Sequence, residues 1–137
     1  INIPFNLKIG NNMKKVISTK NAPEAIGPYS QAIEVNGFLF LSGMLPIDPT
    51  TGNFVPGGII EQTSQIFINI KAILSEAGLN IENIVKTTVF LSDMSLFDGM
   101  NQVYAKQFKD SFPARSTVAA KTLPKNSLVE IEVIAAK

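Results

Sequence analysis

The stretch FPARST, residues 112–117, holds Arg115, the single arginine among twelve Lys plus Arg residues. Where only positive charge is needed, this sequence uses lysine. A guanidinium differs from an ammonium in its planar, always-charged fork, which grips a carboxylate through two parallel hydrogen bonds. A lone Arg at a strand end is ordinarily a surface or ion-pair residue. The lysine background argues instead for a geometric requirement at this position. The rest of the chemistry is narrowly confined. The chain has no His and no Cys, which removes the commonest general base, the commonest metal ligand, thiolate nucleophiles and disulfides. Acid–base work falls to Asp, Glu, Lys, Tyr or water.

Glu130 is the carboxylate of interest. It lies in LVEIEVIAA, residues 128–136, whose alternation sends Val129, Ile131 and Val133 to one side. Leu128, Glu130, Glu132 and Ile134 fall on the other. A Glu on such a strand ordinarily belongs to its solvated face, and Glu132 shares that face as the obvious decoy. A face that mixes carboxylates with aliphatics suits a subunit interface holding a wet site better than it suits bulk water. Tyr29, in GPYSQA, follows a Gly-Pro turn and reads equally as a packing aromatic. At Ser42-Gly43, Gly43 marks close backbone approach or a turn and Ser42 a strand-end cap. No base is in sight to make Ser42 a nucleophile. Asn101 sits on a helix between Met100 and Val103, where a surface Asn is ordinarily inert.

The elements that position these residues follow from periodicity. Asn36-Gly37 between apolar runs predicts a hairpin. Its second arm, Phe38–Leu41, is apolar on both faces, as a central strand should be. LPIDPTTGNFVPGG, residues 45–58, reads as an ordered loop. Ile59, Thr63, Ile66, Ile70, Ile73, Leu74 and Ala77 fall at helical spacing, with Gly78 as the stop. IVKTTVFL, residues 84–91, is β-branched and short, hence a strand. Ser95 and Asp98 resemble a capping box with Asp in place of Glu. Leu96, Met100, Val103, Tyr104 and Phe108 then form an apolar stripe on a helix that must end before Pro113. ARSTVAA and LVEIEVIAA are two further strands, joined through Leu123-Pro124-Lys125-Asn126, and KKVIS, residues 14–18, adds one at the front. Two amphipathic helices cover only one face of such a sheet.

Composition bounds the function classes. A chain of 137 residues with 45% hydrophobic and 17% charged residues reads as globular. Residues 1–12, INIPFNLKIGNN, read as an extension of cloning or read-through origin ahead of Met13, and residues 13–137 as a single domain. The extension lacks the features of a signal peptide. Formal net charge is +1 and the lysines are scattered, so no basic stripe marks a nucleic-acid partner. No apolar run approaches the roughly 18 residues that span a bilayer. The lack of cysteine suits a reducing cytoplasm.

Five blocks, in order, carry a resemblance to a known family: GPYSQA, LFLSG, FDGMNQVYAKQF, FPARSTV and LPKNSLVEIEVIAA. Together they resemble the Rid family in its RidA (YjgF, L-PSP) branch, from about Lys14 to Lys137. The resemblance implies an α+β, chorismate-mutase-like fold and a homotrimer with a barrel-like core and three clefts between subunits. It implies hydrolysis of 2-imino acids, such as 2-iminopropanoate and 2-iminobutanoate, to 2-keto acids and ammonia, with no metal and no cofactor. Arg115 falls on the arginine that binds the substrate carboxylate, and Glu130 on the carboxylate that positions or activates water. Tyr29, Ser42, Gly43 and Asn101 fall on cleft-lining positions. The chain departs from the family pattern at Met44, where members often have Gln, and at Thr117, where many have Cys. Thr117 serves a binding role if that position acts mainly through its backbone.

Rival readings are a non-catalytic trimer that captures small carboxylates or acts as a chaperone, and an endoribonuclease or translation inhibitor. The first would use Arg115 and dispense with Glu130. The second is disfavoured by the near-neutral charge and the lack of His.

Overall fold

The computed structural model describes residues 14–137; the expected extension, residues 1–12, lies outside them. The elements run β1 (Lys15–Ile17), β2 (Ala32–Val35), β3 (Phe38–Met44), α1 (Ile59–Glu76), β4 (Ile84–Leu91), α2 (Phe97–Ala105), β5 (Ala114–Ala119) and β6 (Val129–Ala136). The six strands form one sheet in the order β1-β2-β3-β6-β4-β5. All pairs are antiparallel except β4–β5, which α2 joins by a crossover.

Local chemistry explains most of these elements. Asn36 and Gly37 turn the β2–β3 hairpin with φ of 51° and 82°, the doubly positive pair that a two-residue hairpin needs. β3 then runs between β2 and β6, as its two apolar faces require. Helix α1 ends where expected, with Gly78 at φ 75°. The predicted stripe buries Thr63, Ile66, Ile70, Ile73 and Leu74. It omitted Phe67, which is fully buried and meets Tyr104 and Phe108 edge-on at ring separations of 5.6 and 6.1 Å.

The start of α2 differs from expectation. Ser95 and Asp98 form no capping box. The Asp93 carboxylate accepts a hydrogen bond from the Ser95 backbone N–H at 2.8 Å, closing a 3₁₀ turn over Met94–Leu96 that leads into α2 at Phe97. A short Asp side chain reaches the N–H two residues on, so the turn begins ahead of Ser95. These hydrogen bonds hold the exposed Asp93 carboxyl below its ordinary range. The helix also stops at Ala105, so Phe108 completes the aromatic cluster from beyond its end.

The core lies between the helices and one face of the sheet. Leu39, Leu41, Val89, Leu91, Val129, Ile131, Val133 and Ala135 point into it. Helix α1 also buries amides. Asn69 donates to the carbonyls of Leu45 and Ile47 at 3.2 and 2.9 Å. Gln62 accepts from the Leu128 N–H at 3.0 Å. Each bond fastens one end of a strand that carries a candidate residue. The opposite face has no helix. Its cross-strand rows are read from the registers: Val16, Ile33, Phe40, Ile134 and Lys86; then Glu132, Thr88 and Ser116; then Glu130, Phe90 and Val118.

Phe67→Ala should cost about 3–5 kcal/mol, the usual scale for a buried Phe truncated to Ala. Urea unfolding of the two chains would measure it. A cost below about 1 kcal/mol would mean that Phe67 does not organise the aromatic cluster with Tyr104 and Phe108.

Candidate functional site

The site residues fall into two groups, separated by the sheet. On β5, Arg115 is paired with Thr87 and Thr117 with Val89, both of which face the helices. The Arg115 side chain therefore rises toward α2. Its Nη1 donates to Asn101 Oδ1 at 2.7 Å, and its Cζ lies 4.6 Å from the centroid of the Tyr104 ring and 5.5 Å from that of Phe97. A guanidinium stacked on an aromatic face and hydrogen-bonded at one edge keeps its remaining N–H groups in a fixed plane. Tyr104 is fixed in turn, since its hydroxyl shares a 2.7 Å hydrogen bond with Thr87. Burial raises the Tyr104 pKa, opposed by the Thr87 hydrogen bond and by Arg115. A cavity of about 410 Å³ opens beside the guanidinium, lined by Asn101, Tyr104, Ala105, Phe112, Pro113 and Arg115. The Thr117 hydroxyl is a buried oxygen with no hydrogen-bond partner.

Glu130 lies on the other face. It is paired with Phe90, and Glu132 with Thr88. Arg115 and Glu130 stand three residues apart along β4 and on strands flanking it to either side, so their Cα atoms are separated by on the order of 14 Å. Their side chains also leave opposite faces. One chain does not bring the guanidinium and the carboxylate together.

Glu130 has its own neighbourhood. A Cβ on Gly43 would overlap the Glu130 carboxylate. Close approach is thus the reason for glycine, and what approaches is Glu130. The β3–β6 register shifts between Leu41 and Met44, and this irregularity turns Ser42-Gly43 out of the regular ladder. The Ser42 hydroxyl donates to the Ser30 carbonyl at 2.6 Å and its N–H to the Gln31 carbonyl at 3.0 Å. Ser42 is thereby a fastener of the loop before β2. Gln31 secures that loop from beneath: its amide N–H donates to the carbonyls of Thr19 and Pro23 at 3.1 and 2.7 Å, and its oxygen accepts from the Thr19 N–H at 2.7 Å. At the end of the loop Tyr29 is left 53% exposed. It lines a small cavity together with Ser42, Gly43, Ile26 and Lys125. The Glu130 carboxyl is pushed above its ordinary range, chiefly by burial and then by the charge of Glu132.

The predicted residues are therefore sorted as Arg115, Asn101 and Thr117 in one half-site, and Tyr29, Ser42, Gly43 and Glu130 in the other. Tyr104 and Phe97, the platforms under Arg115, were legible only as members of an apolar stripe or not at all. Gln31 gave no sequence signal. Met44 is buried in the core. Among the described residues no group of three or more Asp and Glu side chains is placed to hold a metal ion, and no helix is long and apolar enough to cross a membrane.

Comparison with known proteins places the chain in a family and matches its fold. The family model described as Endoribonuclease L-PSP matches residues 19–137. A mouse protein named 2-iminobutanoate/2-iminopropanoate deaminase is 47% identical over 123 residues, covering 90% of this chain and 91% of its own. A solved structure from Yersinia pestis, YyfA of the conserved Rid protein family and described as of unknown function, superposes with a TM-score of 0.88. It is 54% identical, over 90% of this chain and 99% of that one. The structure of E. coli TdcF with bound serine gives a TM-score of 0.87 at 40% identity, over 90% and 99% of the two chains.

The raised Glu130 pKa has a definite sign for stability. Folding disfavours the ionised form, so the stability this group allows is fully present below the ordinary glutamate value and is lost as pH rises through the raised one. Glu130→Gln should therefore raise the melting temperature at pH 7, and the gain should shrink toward nothing as pH falls below about 4. Paired thermal melts at the two pH values test this. A neutral-pH gain of zero would show that ionising Glu130 is no more costly in the folded protein than in the unfolded chain.

Proposed function

Because the chain belongs to the Rid (L-PSP) family, we propose that it is an enamine/imine deaminase, hydrolysing 2-imino acids such as 2-iminopropanoate and 2-iminobutanoate to 2-keto acids and ammonia. The observation that carries this reading is the preset guanidinium of Arg115. Asn101 and Tyr104 fix its plane and one edge; the N–H groups that remain suit a carboxylate. The naming of a 47% identical relative as such a deaminase supports the substrate class. The serine bound by a structural neighbour is an amino acid of similar size.

The reaction needs three things: a held carboxylate, a water delivered to C2, and a proton for the departing nitrogen. Arg115 holds the carboxylate. On a protonated imine, Glu130 takes one proton from water as the oxygen adds to C2 and returns it to the nitrogen of the resulting carbinolamine. As the C–N bond breaks and ammonia leaves, the C2 carbonyl forms and the hydroxyl gives its remaining proton to Glu130. Its raised pKa favours this double role, because a base nearer neutrality both accepts and releases a proton readily. Thr117, with its unpartnered hydroxyl, binds substrate beside Arg115. Tyr29 and the Ser42-Gly43 backbone line the cleft beside Glu130.

The opposed faces of Arg115 and Glu130 support a composite cleft, in which Arg115 of one subunit meets Glu130 of a neighbour. The uncovered sheet face carries exposed Val16, Phe38, Phe40 and Val118, an apolar surface that supports self-association. The homotrimer implied by the family would cover it. The endoribonuclease reading, despite the family description, is less well supported: net charge is +1 and there is no His. A cytoplasmic setting belongs to the same proposal.

Three variants and a mixture test the reading, with keto-acid release measured while a threonine dehydratase generates the imine. Arg115→Lys should lose about 2–4 kcal/mol in kcat/KM, the scale of one positioned charge-assisted contact. Glu130→Gln should lower kcat by a factor on the order of 10²–10⁴, and Glu132→Gln should change it little. Arg115→Lys and Glu130→Gln chains, unfolded and refolded together, should recover activity, because about one cleft in four then pairs two unmutated partners in a symmetric ring. No recovery, with mixed trimers demonstrated by mass, would sink the composite cleft. Parent-like rates in both Glu130→Gln and Glu132→Gln, with keto acids still bound, would favour the binding-protein reading.

A further inference from the structure

The cavity beside Arg115 has one wall that the proposed reaction does not use. Phe112 is 63% exposed, which is unusual for a large aromatic next to a charged group. It is not a loose surface residue. Its ring packs on Phe108 at 6.0 Å and 67°, Phe108 packs on Tyr104 at 5.2 Å, and both pack on the buried Phe67. An aromatic ladder thus runs from the core to the cavity lip and ends in an exposed ring. Pro113, whose φ is fixed by its own side chain, follows directly and lines the same cavity with Ala105.

A carboxylate on the free edge of Arg115 places C2 of the substrate in this cavity. C2 carries two further substituents. The nitrogen requires polar surroundings and a proton donor. The alkyl group requires cover from water, and the apolar surface within reach is that of Ala105, Phe112 and Pro113. Within the chain Arg115 is the sole charged group lining the cavity. The Asn101 amide oxygen and the Tyr104 hydroxyl are engaged with Arg115 and Thr87, and the wall of Ala105, Phe112 and Pro113 offers no polar side chain to a substrate. On the deaminase reading, we infer that Phe112 sets side-chain specificity: it forms a rigid apolar wall against which the substrate side chain is buried, so that straight aliphatic chains longer than methyl are preferred. A volume of about 410 Å³ leaves room for such extension.

The test separates this inference from the reaction it rests on. Binding of the non-reactive keto acids pyruvate, 2-oxobutanoate and 2-oxopentanoate is measured by calorimetry in the parent chain, Phe112→Ala and Phe112→Leu. Imine hydrolysis is measured on the corresponding series. Parent affinity should rise about threefold to fourfold per methylene, the return for burying one CH₂. Phe112→Ala should flatten that gradient, weakening 2-oxopentanoate more than pyruvate. Phe112→Leu should restore most of it. Equal gradients in all three proteins, or no gradient in the parent, would overturn the inference. So would loss of the assembled mass in Phe112→Ala, which would make Phe112 a subunit contact. A graded keto-acid series without any acceleration of imine hydrolysis would leave the wall standing and remove the deaminase. Acceleration without a gradient would do the reverse.

Discussion

Strand parity about a sheet that is covered on one face is the constraint from which the rest follows. β4 pairs with β5 on one side and β6 on the other, and its residues alternate between the helices and the open face. Thr87 and Phe90 are an odd number of positions apart, so their cross-strand partners Arg115 and Glu130 leave opposite faces. A slip of one residue in β6 would bring the two together on one side. It would also drive Glu130 and Glu132 into the core and expel Val129, Ile131 and Val133. Burial of those three side chains, each worth about 1.5–3 kcal/mol, fixes the register. The separation of guanidinium from carboxylate is thus a consequence of core formation, and it is the reason the proposed deaminase chemistry calls on a second copy of the chain.

A second layer of order comes from buried amides. Gln31, Gln62 and Asn69 lie out of water, where an unpaired polar group costs about 1–3 kcal/mol. All three make hydrogen bonds to backbone groups of segments flanking the site: 19–23 for Gln31, 45–47 for Asn69, and Leu128 for Gln62. Side chains that would be penalised if misplaced therefore hold those loops in one arrangement, which is what a positioned water and substrate require. Thr117 is the contrast. Its buried hydroxyl has no partner, and it lies on the same strand face as Arg115, where the deaminase reading puts a ligand.

Much of this was legible in the sequence because local chemistry determined it. Asn36-Gly37 specified the hairpin, Gly78 the end of α1, and the alternation of LVEIEVIAA the two faces of β6. Gly43 was readable as close approach, yet not what approaches, because Glu130 comes from a strand far along the chain and only the β3–β6 pairing brings it there. For the same reason the division of the site residues between two faces could not be read: it depends on which residue of β4 each one opposes. Tyr104 illustrates a different limit. Its spacing marks it as core, and it is core; that its ring also carries a guanidinium is a second use of one buried aromatic, invisible to periodicity. Asp93 takes the place of the expected Ser95 cap because its carboxylate reaches the Ser95 backbone N–H and starts a 3₁₀ turn ahead of α2.

If Arg115 and Glu130 of two subunits meet as proposed, the two half-sites bear on each other's electrostatics. In the single chain Glu130 is pushed up by burial and by Glu132. A neighbouring subunit laid over the open face deepens the first effect and so raises the carboxyl further. The guanidinium that the neighbour brings acts the other way, favouring the charged form. A substrate carboxylate gripped by Arg115 cancels much of that positive charge. The pull on Glu130 then weakens and its pKa rises, at the moment when a stronger base is wanted to draw a proton from water. On that proposal, dividing acid–base work and carboxylate recognition between two chains makes the strength of the base respond to occupancy. Neither a histidine nor a metal is needed for that response, since it uses only desolvation and the opposition of two charges.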